Sequence, residues 1–308
     1  MARLCALAAG LILLAAPARA DEKSCALRRV TTVDMGIDAV GRMTVPMTVG
    51  GQTEAMLVDT GGLNTMLSES AVKALGLYKS RIANVRITIY GGTPVNYFTT
   101  AHDIAFGRLK SPSMDFLVLP EARAMAGIGG LLAPDILRAY DDDFDFANGR
   151  LALFSPDHCE GKVVYWTKDP VADIPIDIDD IGHIRVPVTI DGKVVRLIFD
   201  TGSVDTVLSF DQAQSVFGFD EKSPDLTVVA KDGDRVVYKY PFKTLSFGGG
   251  GEAGMVTVAN PKIFLTSYDV SKISSSQSAI LGLGILRQLH LYIAYKEHRL
   301  FVSAASAH

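Results

Sequence analysis

Residues 56–68 read MLVDTGGLNTMLS, and residues 197–209 read LIFDTGSVDTVLS. Each carries Asp-Thr-Gly behind three apolar residues, with a Thr and a Leu-Ser at the same offsets after it. One such tripeptide recurs by chance. Two in matching contexts, 141 residues apart, place Asp59 in register with Asp200. A duplicated carboxylate suggests two halves that bring two acids together, and facing carboxylates can share a proton and activate water. A single such Asp would more often be a turn or helix-cap acid.

The repeat runs well beyond the motif. Residues 40–68 overlay 181–209 without a gap: Gly41 meets Gly182, Val45-Pro46 meets Val186-Pro187, and Gly51 meets Gly192. Farther on the offset slips to 149, where Ile136-Leu137-Arg138 falls on Ile285-Leu286-Arg287. The added residues lie in loop-like sequence, at Gly248–Gly251 and at residues 274–278. Two copies are too few for a solenoid. They fit two related lobes facing each other in one chain, which is a monomer with pseudo-twofold symmetry.

Residues 1–20 hold Arg3, an apolar run, and Ala18-Arg19-Ala20 ahead of Asp21. That is the pattern of a secretory signal peptide, and its apolar run is too short to cross a bilayer. The plainer alternative is a buried N-terminal helix. The expected protein is exported, periplasmic or secreted, with no stable membrane insertion. Losing Arg3 and Arg19 takes the formal charge from −4 to −6, and the sequence has no basic run, so nucleic acid is not an expected partner. The expected division is signal peptide 1–20, first lobe 21–156, connection 157–178 and second lobe 179–308.

Cys5 leaves with the signal, so Cys25 and Cys159 remain, bracketing the first repeat. In an oxidising compartment they read as one structural disulfide, the alternative being two unpaired thiols. His158 and Cys159 are neighbours, but no set of Cys and His has ligand spacing, so neither metal nor cofactor is expected. The Gly248–Gly251 run lacks the Lys-Ser/Thr of a phosphate-binding loop.

Strand patterns dominate. MTVPMTV (43–49) and IRVPVTI (184–190) are followed by Gly50-Gly51 and Asp191-Gly192, which read as two-residue hairpin turns into the strands that end at each Asp. Pro46 and Pro187 point to edge strands or bulges. Short helices are expected after Ser68 and Ser209 as N-caps, and again at 134–140 and 283–289. Further hairpins are expected at 87–98 and 226–240, with Gly92 and Gly233 at the same offset. Gly61 and Gly202 give the tight turn after each acid its freedom of approach.

With these motifs quoted, the chain resembles the retropepsin and pepsin clan of aspartic proteases over roughly residues 38–154 and 179–303. The family's closing motif, two apolar residues and Gly before a short helix, stands as Ile280-Leu281-Gly282 in the second half. In the first half it is Leu131-Leu132-Ala133, with Ala in place of Gly. The resemblance implies an all-β, bilobal acid-protease fold, with two barrel-like lobes, short helices and the active site between them. It implies Asp59 and Asp200 as the catalytic pair and Thr60 and Thr201 as partners in hydrogen bonds across the axis. Gly61, Gly202 and Ser203 would support them. Ser203 faces a Gly62 without a hydroxyl, so Asp200 is expected to be the more readily ionised acid. Tyr90, Gly91 and Gly92 resemble a flap tip, with Gly233 at the equivalent place, as in a fused retropepsin dimer. The implied activity is endopeptidase, on a polypeptide held extended, with a bell-shaped pH profile and an acidic optimum. The alternative is a catalytically silent peptide-binding protein of the same fold.

Overall fold

The computed structural model describes residues 25–89, 92–233, 235–248, 254–267 and 279–306. The expected signal peptide, Tyr90, Gly91, most of the glycine run and the 274–278 stretch lie outside them.

Each half starts with the hairpin read from the sequence. Met43–Val49 pairs antiparallel with Gln52–Val58, and Ile184–Ile190 pairs with Lys193–Phe199. The turn residues Gly50 and Gly51 have φ of 58° and 80°, and Asp191 and Gly192 have 44° and 80°. Positive φ at both central residues is the geometry that follows the right-handed strand twist. Alternate residues of Met43–Val49 and of Ile184–Ile190 are buried, so one face of each ribbon feeds the core.

The two prolines do not mark edges. Met43–Val49 has neighbours on both sides, and its second side is shared. Gly36–Ile37 pairs at Met43 and Thr44, and the long strand Tyr97–Phe106 touches at Thr48. Pro46 sits in the gap between those neighbours, where no ladder N–H is needed. Pro187 sits likewise between Asp177–Ile178, paired at Ile184 and Arg185, and Thr244–Phe247, paired at Thr189 and Ile190. A strand can carry Pro internally where its partner changes.

In the first lobe, Met43–Val49, Gln52–Val58, Gly130–Leu132, Met66–Ser68, Leu109–Leu119 and Tyr97–Phe106 follow one another, and the Thr48–Ala105 pairing closes them into a six-stranded barrel. The matching strands of the second lobe form an open half-barrel, extended by Thr227–Asp232 and Arg235–Lys239 at one end and Thr244–Phe247 and Val256–Ala259 at the other.

A third sheet joins the lobes. Its order is Arg29–Asp34, Arg150–Phe154, Asp141–Asp145, Leu289–Ala294, Arg299–Ala304, Ala172–Pro175. Three strands come from the first lobe, two from the second and Ala172–Pro175 from the connection, and the seam is the antiparallel pairing of Asp141–Asp145 with Leu289–Ala294. One continuous apolar core, including Phe144, Leu151, Phe199, Leu286 and Leu291, runs through both lobes. The Cys25–Cys159 disulfide is present and ties the segment before the first strand to the connection between lobes.

The helices are short: Glu69–Ala74, Pro134–Leu137, Phe210–Phe217 and Leu283–Leu286. Ser68 and Ser209 cap the first and third as expected, accepting from the N–H groups of Ala71 and Gln212. The helices at Pro134–Leu137 and Leu283–Leu286 are shorter than the sequence pattern predicts, because Arg138 and Arg287 already act as C-caps.

Candidate active site

The strand ending at Val58 delivers Asp59, and the strand ending at Phe199 delivers Asp200. Each is held from the side by a parallel neighbour. Leu132 carbonyl accepts from Asp59 N–H at 2.9 Å, and Leu281 carbonyl accepts from Asp200 N–H at 3.1 Å. The apolar pairs before Ala133 and Gly282 thus serve as rails that fix the height of each acid.

The loops are then locked to one another. Thr60 N–H donates to Thr201 Oγ1 at 3.2 Å, and Thr201 N–H donates to Thr60 Oγ1 at 3.0 Å. Each hydroxyl passes its own proton to the opposite strand, Thr60 to Phe199 carbonyl at 2.9 Å and Thr201 to Val58 carbonyl at 2.7 Å. Both threonines are fully buried. Every polar atom of this lattice is paired, so its geometry is stiff and costly to break.

The carboxyls cross over. A methyl group at Gly61 would stand 2.5 Å from the carboxyl carbon of Asp200, and one at Gly202 would stand 2.4 Å from Asp59 Oδ1. Each acid therefore lies against the glycine of the other loop, and no larger residue fits at either place.

Burial first, and the charge of Asp200 second, push the Asp59 carboxyl up to about 8. Burial also raises Asp200, but the N–H groups of Gly202 and Ser203, the charge of His183 and a hydrogen bond from Asp59 pull it back. Gly202 N–H reaches Asp200 Oδ1 at 2.8 Å. Both carboxyls are raised, and most of the groups that pull back act on Asp200, so the pair favours Asp59 as its protonated member. The pair offers a base and an acid side by side.

The sequence pattern of the family described as "Aspartyl protease" matches residues 45–135 and 186–284. The chain belongs to that family. No curated protein sequence matches it. Among solved structures, it is similar to conglutin gamma, a basic 7S globulin from lupine seeds, at 9% identity. The TM-score is 0.54, over 92% of this chain and 96% of that one. At that identity the likeness extends to the fold alone.

One detail of this aspartyl protease family member differs from the sequence reading. The Ser203 hydroxyl donates to Asp205 carbonyl at 2.8 Å rather than to Asp200. What favours the ionised form of Asp200 is backbone N–H groups and His183. Ala133, where the family has Gly, is fully buried without disruption. Its N–H donates to Thr65 Oγ1 at 3.1 Å, as Gly282 N–H donates to Thr206 Oγ1 at 3.0 Å. Beside it the Asp135 carboxylate accepts from the Thr65 N–H and hydroxyl. At Gly282 a methyl would meet the Asp205 carbonyl oxygen at 2.3 Å.

Of the expected flap residues, Tyr90 and Gly91 lie outside the described positions. Gly92, with φ of 71°, enters the strand Thr93–Val95, paired with Ile87–Ile89. Ile87 lines a cavity of about 360 Å³ with Asn64 and Thr65 of the Asp59 loop and with Ile82, Phe98 and Leu117. Gly233, with φ of 57°, turns the hairpin between Thr227–Asp232 and Arg235–Lys239, whose first strand is exposed along its length.

Two further arrangements, one at the dyad loops and one in the interlobe sheet, were not legible in the sequence. His183 donates Nε2–H to Gly61 carbonyl at 2.8 Å across the lobes. The run Asp141-Asp142-Asp143 is buried in the interlobe sheet. His158 Nε2 reaches Asp141 and His290 Nε2 reaches Asp143, both at 2.6 Å, while the Tyr295 hydroxyl donates to Asp142 at 2.9 Å. These partners lie far off in the chain, and nothing local in the sequence announces them.

Proposed function

We propose that this protein is an exported aspartic endopeptidase that hydrolyses peptide bonds with a water held between Asp59 and Asp200. The observation that carries the reading is the crossed dyad, each carboxyl against the glycine of the other loop and both raised by burial, held by the hydrogen bonds of Thr60 and Thr201. Asp200 accepts a proton from the water as it attacks the scissile carbonyl. Asp59 donates to the carbonyl oxygen as the tetrahedral intermediate forms. As the C–N bond breaks, Asp200 gives its proton to the leaving amine nitrogen and Asp59 takes back a hydroxyl proton of the intermediate, which leaves a carboxylic acid product and the dyad in its starting state. The substrate is an extended polypeptide, which strand edges near the dyad can hold through main-chain hydrogen bonds. The cavity beside Asn64 and Thr65 is mostly apolar in lining and suits an apolar side chain next to the scissile bond. In this reading the lobes are about 21–156 and 179–308, with a connection between them, and the chain works as a monomer.

A peptide inhibitor with a hydroxyl at the scissile position tests the reading without knowledge of the substrate. The hydroxyl replaces the attacking water and needs one ionised and one neutral acid. Tight binding that is lost in Asp200→Asn supports the endopeptidase. Binding of plain peptides with no preference for the hydroxyl analogue, and no turnover, supports the silent peptide-binding alternative.

A further inference from the structure

The correspondence between the lobes also fails in a turn beside the dyad. In the first lobe a turn is closed by Asp38, whose Oδ1 accepts from Arg42 N–H at 2.8 Å. In the second the same turn is closed by Asp179, whose Oδ1 accepts from His183 N–H at 2.9 Å. The backbones match, but the side chains part. Arg42 curls back, and its Nε–H meets Asp38 Oδ2 at 2.6 Å. His183 instead reaches across the lobes to the carbonyl of Gly61, at 2.8 Å, and is only 2% exposed.

Gly61 is the residue against which the Asp200 carboxyl rests. A carbonyl only accepts, so the His183 Nε2 carries the proton of that bond. Its Nδ1 is buried without a hydrogen-bond partner and faces Asp179 Oδ2 at 3.6 Å. The charge of His183 lies close enough to Asp200 to favour the ionised form of that carboxyl. The other charges around it are Arg185, 3.7 Å from the same Asp179 oxygen, Asp59 behind Gly61, and Arg138 packed on Gly182.

We propose that His183 is a positioning residue that assigns the roles within the dyad, holding the Asp59 loop through Gly61 and keeping Asp200 as the ionised member. The inference rests on the endopeptidase reading for its consequence in turnover, but the protonation states can be read without turnover. Two links are separable. The Nε2–H bond fixes geometry, and the ring's charge favours ionised Asp200. His183→Gln keeps an N–H at a similar reach and drops the charge. His183→Leu drops both.

The experiment is a carboxyl 13C NMR titration of protein labelled at Asp, for wild type and both variants, with kcat and KM against pH where turnover is present. In both variants the lower of the two dyad pKa values rises by about one unit or more, because Asp200 loses a neighbouring positive charge. Where there is turnover, the acid limb of kcat moves with it. His183→Gln retains kcat at its optimum within about threefold, while His183→Leu loses roughly tenfold in kcat with KM little changed. A lower dyad pKa that stays in place in folded His183→Gln overturns the proposal, whether or not His183→Leu folds. If wild type hydrolyses no peptide yet the titration shifts as described, the endopeptidase reading fails and the role of His183 stands.

Discussion

The carboxyl of Asp200 occupies the space that a side chain at Gly61 would fill, its carbon 2.5 Å from where a methyl would stand. Gly61→Ala therefore drives Asp200 off its position or opens the loop lattice. The expected result is loss of hydroxyl-analogue binding with a stability cost of about 1–3 kcal/mol from overpacking. Denaturant unfolding and inhibitor titration check it. A variant that keeps wild-type binding contradicts the crossed placement of the acids.

Thr60 and Thr201 each donate and accept across the lobes, fully buried. Thr60→Val keeps the shape and removes the hydroxyl, leaving Thr201 N–H and Phe199 carbonyl without their partners. An unpaired buried polar group costs about 1–3 kcal/mol. Guanidinium unfolding is expected to show a loss of at least that order, and Thr60→Ser, which restores the hydroxyl, recovers most of it. Equal stability of the Val and Ser variants contradicts the lattice as the lock.

The charge state of Asp59 has a consequence for folding. Its carboxyl holds its proton up to about 8 in the folded protein, against about 4 in an unfolded chain. Between those values the folded state binds more protons than the unfolded, so stability from this group is full at low pH and falls as pH rises through the window. Asp59→Asn is always neutral and escapes that loss. The variant is expected to melt at a higher temperature than wild type at pH 7.5 and at a similar one at pH 4. The same shift moves the descending limb of activity toward pH 8, above the acidic optimum that the motif alone suggests. A melting difference of the opposite sign contradicts a protonated Asp59.

Cys25–Cys159 closes a separation of 134 residues. In the chain-entropy picture such a link restricts the unfolded chain by about 4–5 kcal/mol, often less in practice. Cys25→Ala together with Cys159→Ala is expected to lower the denaturation midpoint clearly while leaving inhibitor binding intact, since the bridge joins the segment before the first strand to the interlobe connection and neither cysteine belongs to a dyad loop. Two alkylatable thiols in unreduced protein contradict the bridge.

Much of this was legible because the chain states it twice. The 141-residue offset of two Asp-Thr-Gly segments located both acids, and the flanking turn glycines located the hairpins that deliver them. Ser68 and Ser209 announced their helices through local capping chemistry. What escaped depends on partners distant in sequence. Pro46 reads as an edge signal, and only the change of partner along Met43–Val49 explains it. His183 is one residue in a turn whose first-half counterpart is Arg42, and only the packed lobes reveal that it reaches Gly61. The burial of Asp141–Asp143 depends on pairs with His158, His290 and Tyr295, which their own stretch of sequence does not contain. The support of Asp200 was assigned to the wrong atoms, a Ser203 hydroxyl that turns away to Asp205.

The central claim is that Asp59 and Asp200 act together on a peptide bond, and a peptide-library digest across pH tests it most directly. Wild type is run beside Asp59→Asn and Asp200→Asn, with cleavage read by mass spectrometry. Neither acid alone can both take the water's proton and donate to the carbonyl, so each variant is expected to lose hydrolysis by at least about a thousandfold. Wild type is expected to show a rate that rises and then falls across pH. Residual activity within tenfold of wild type in either variant, or a rate that climbs steadily into alkaline pH with no descending limb, contradicts the shared dyad.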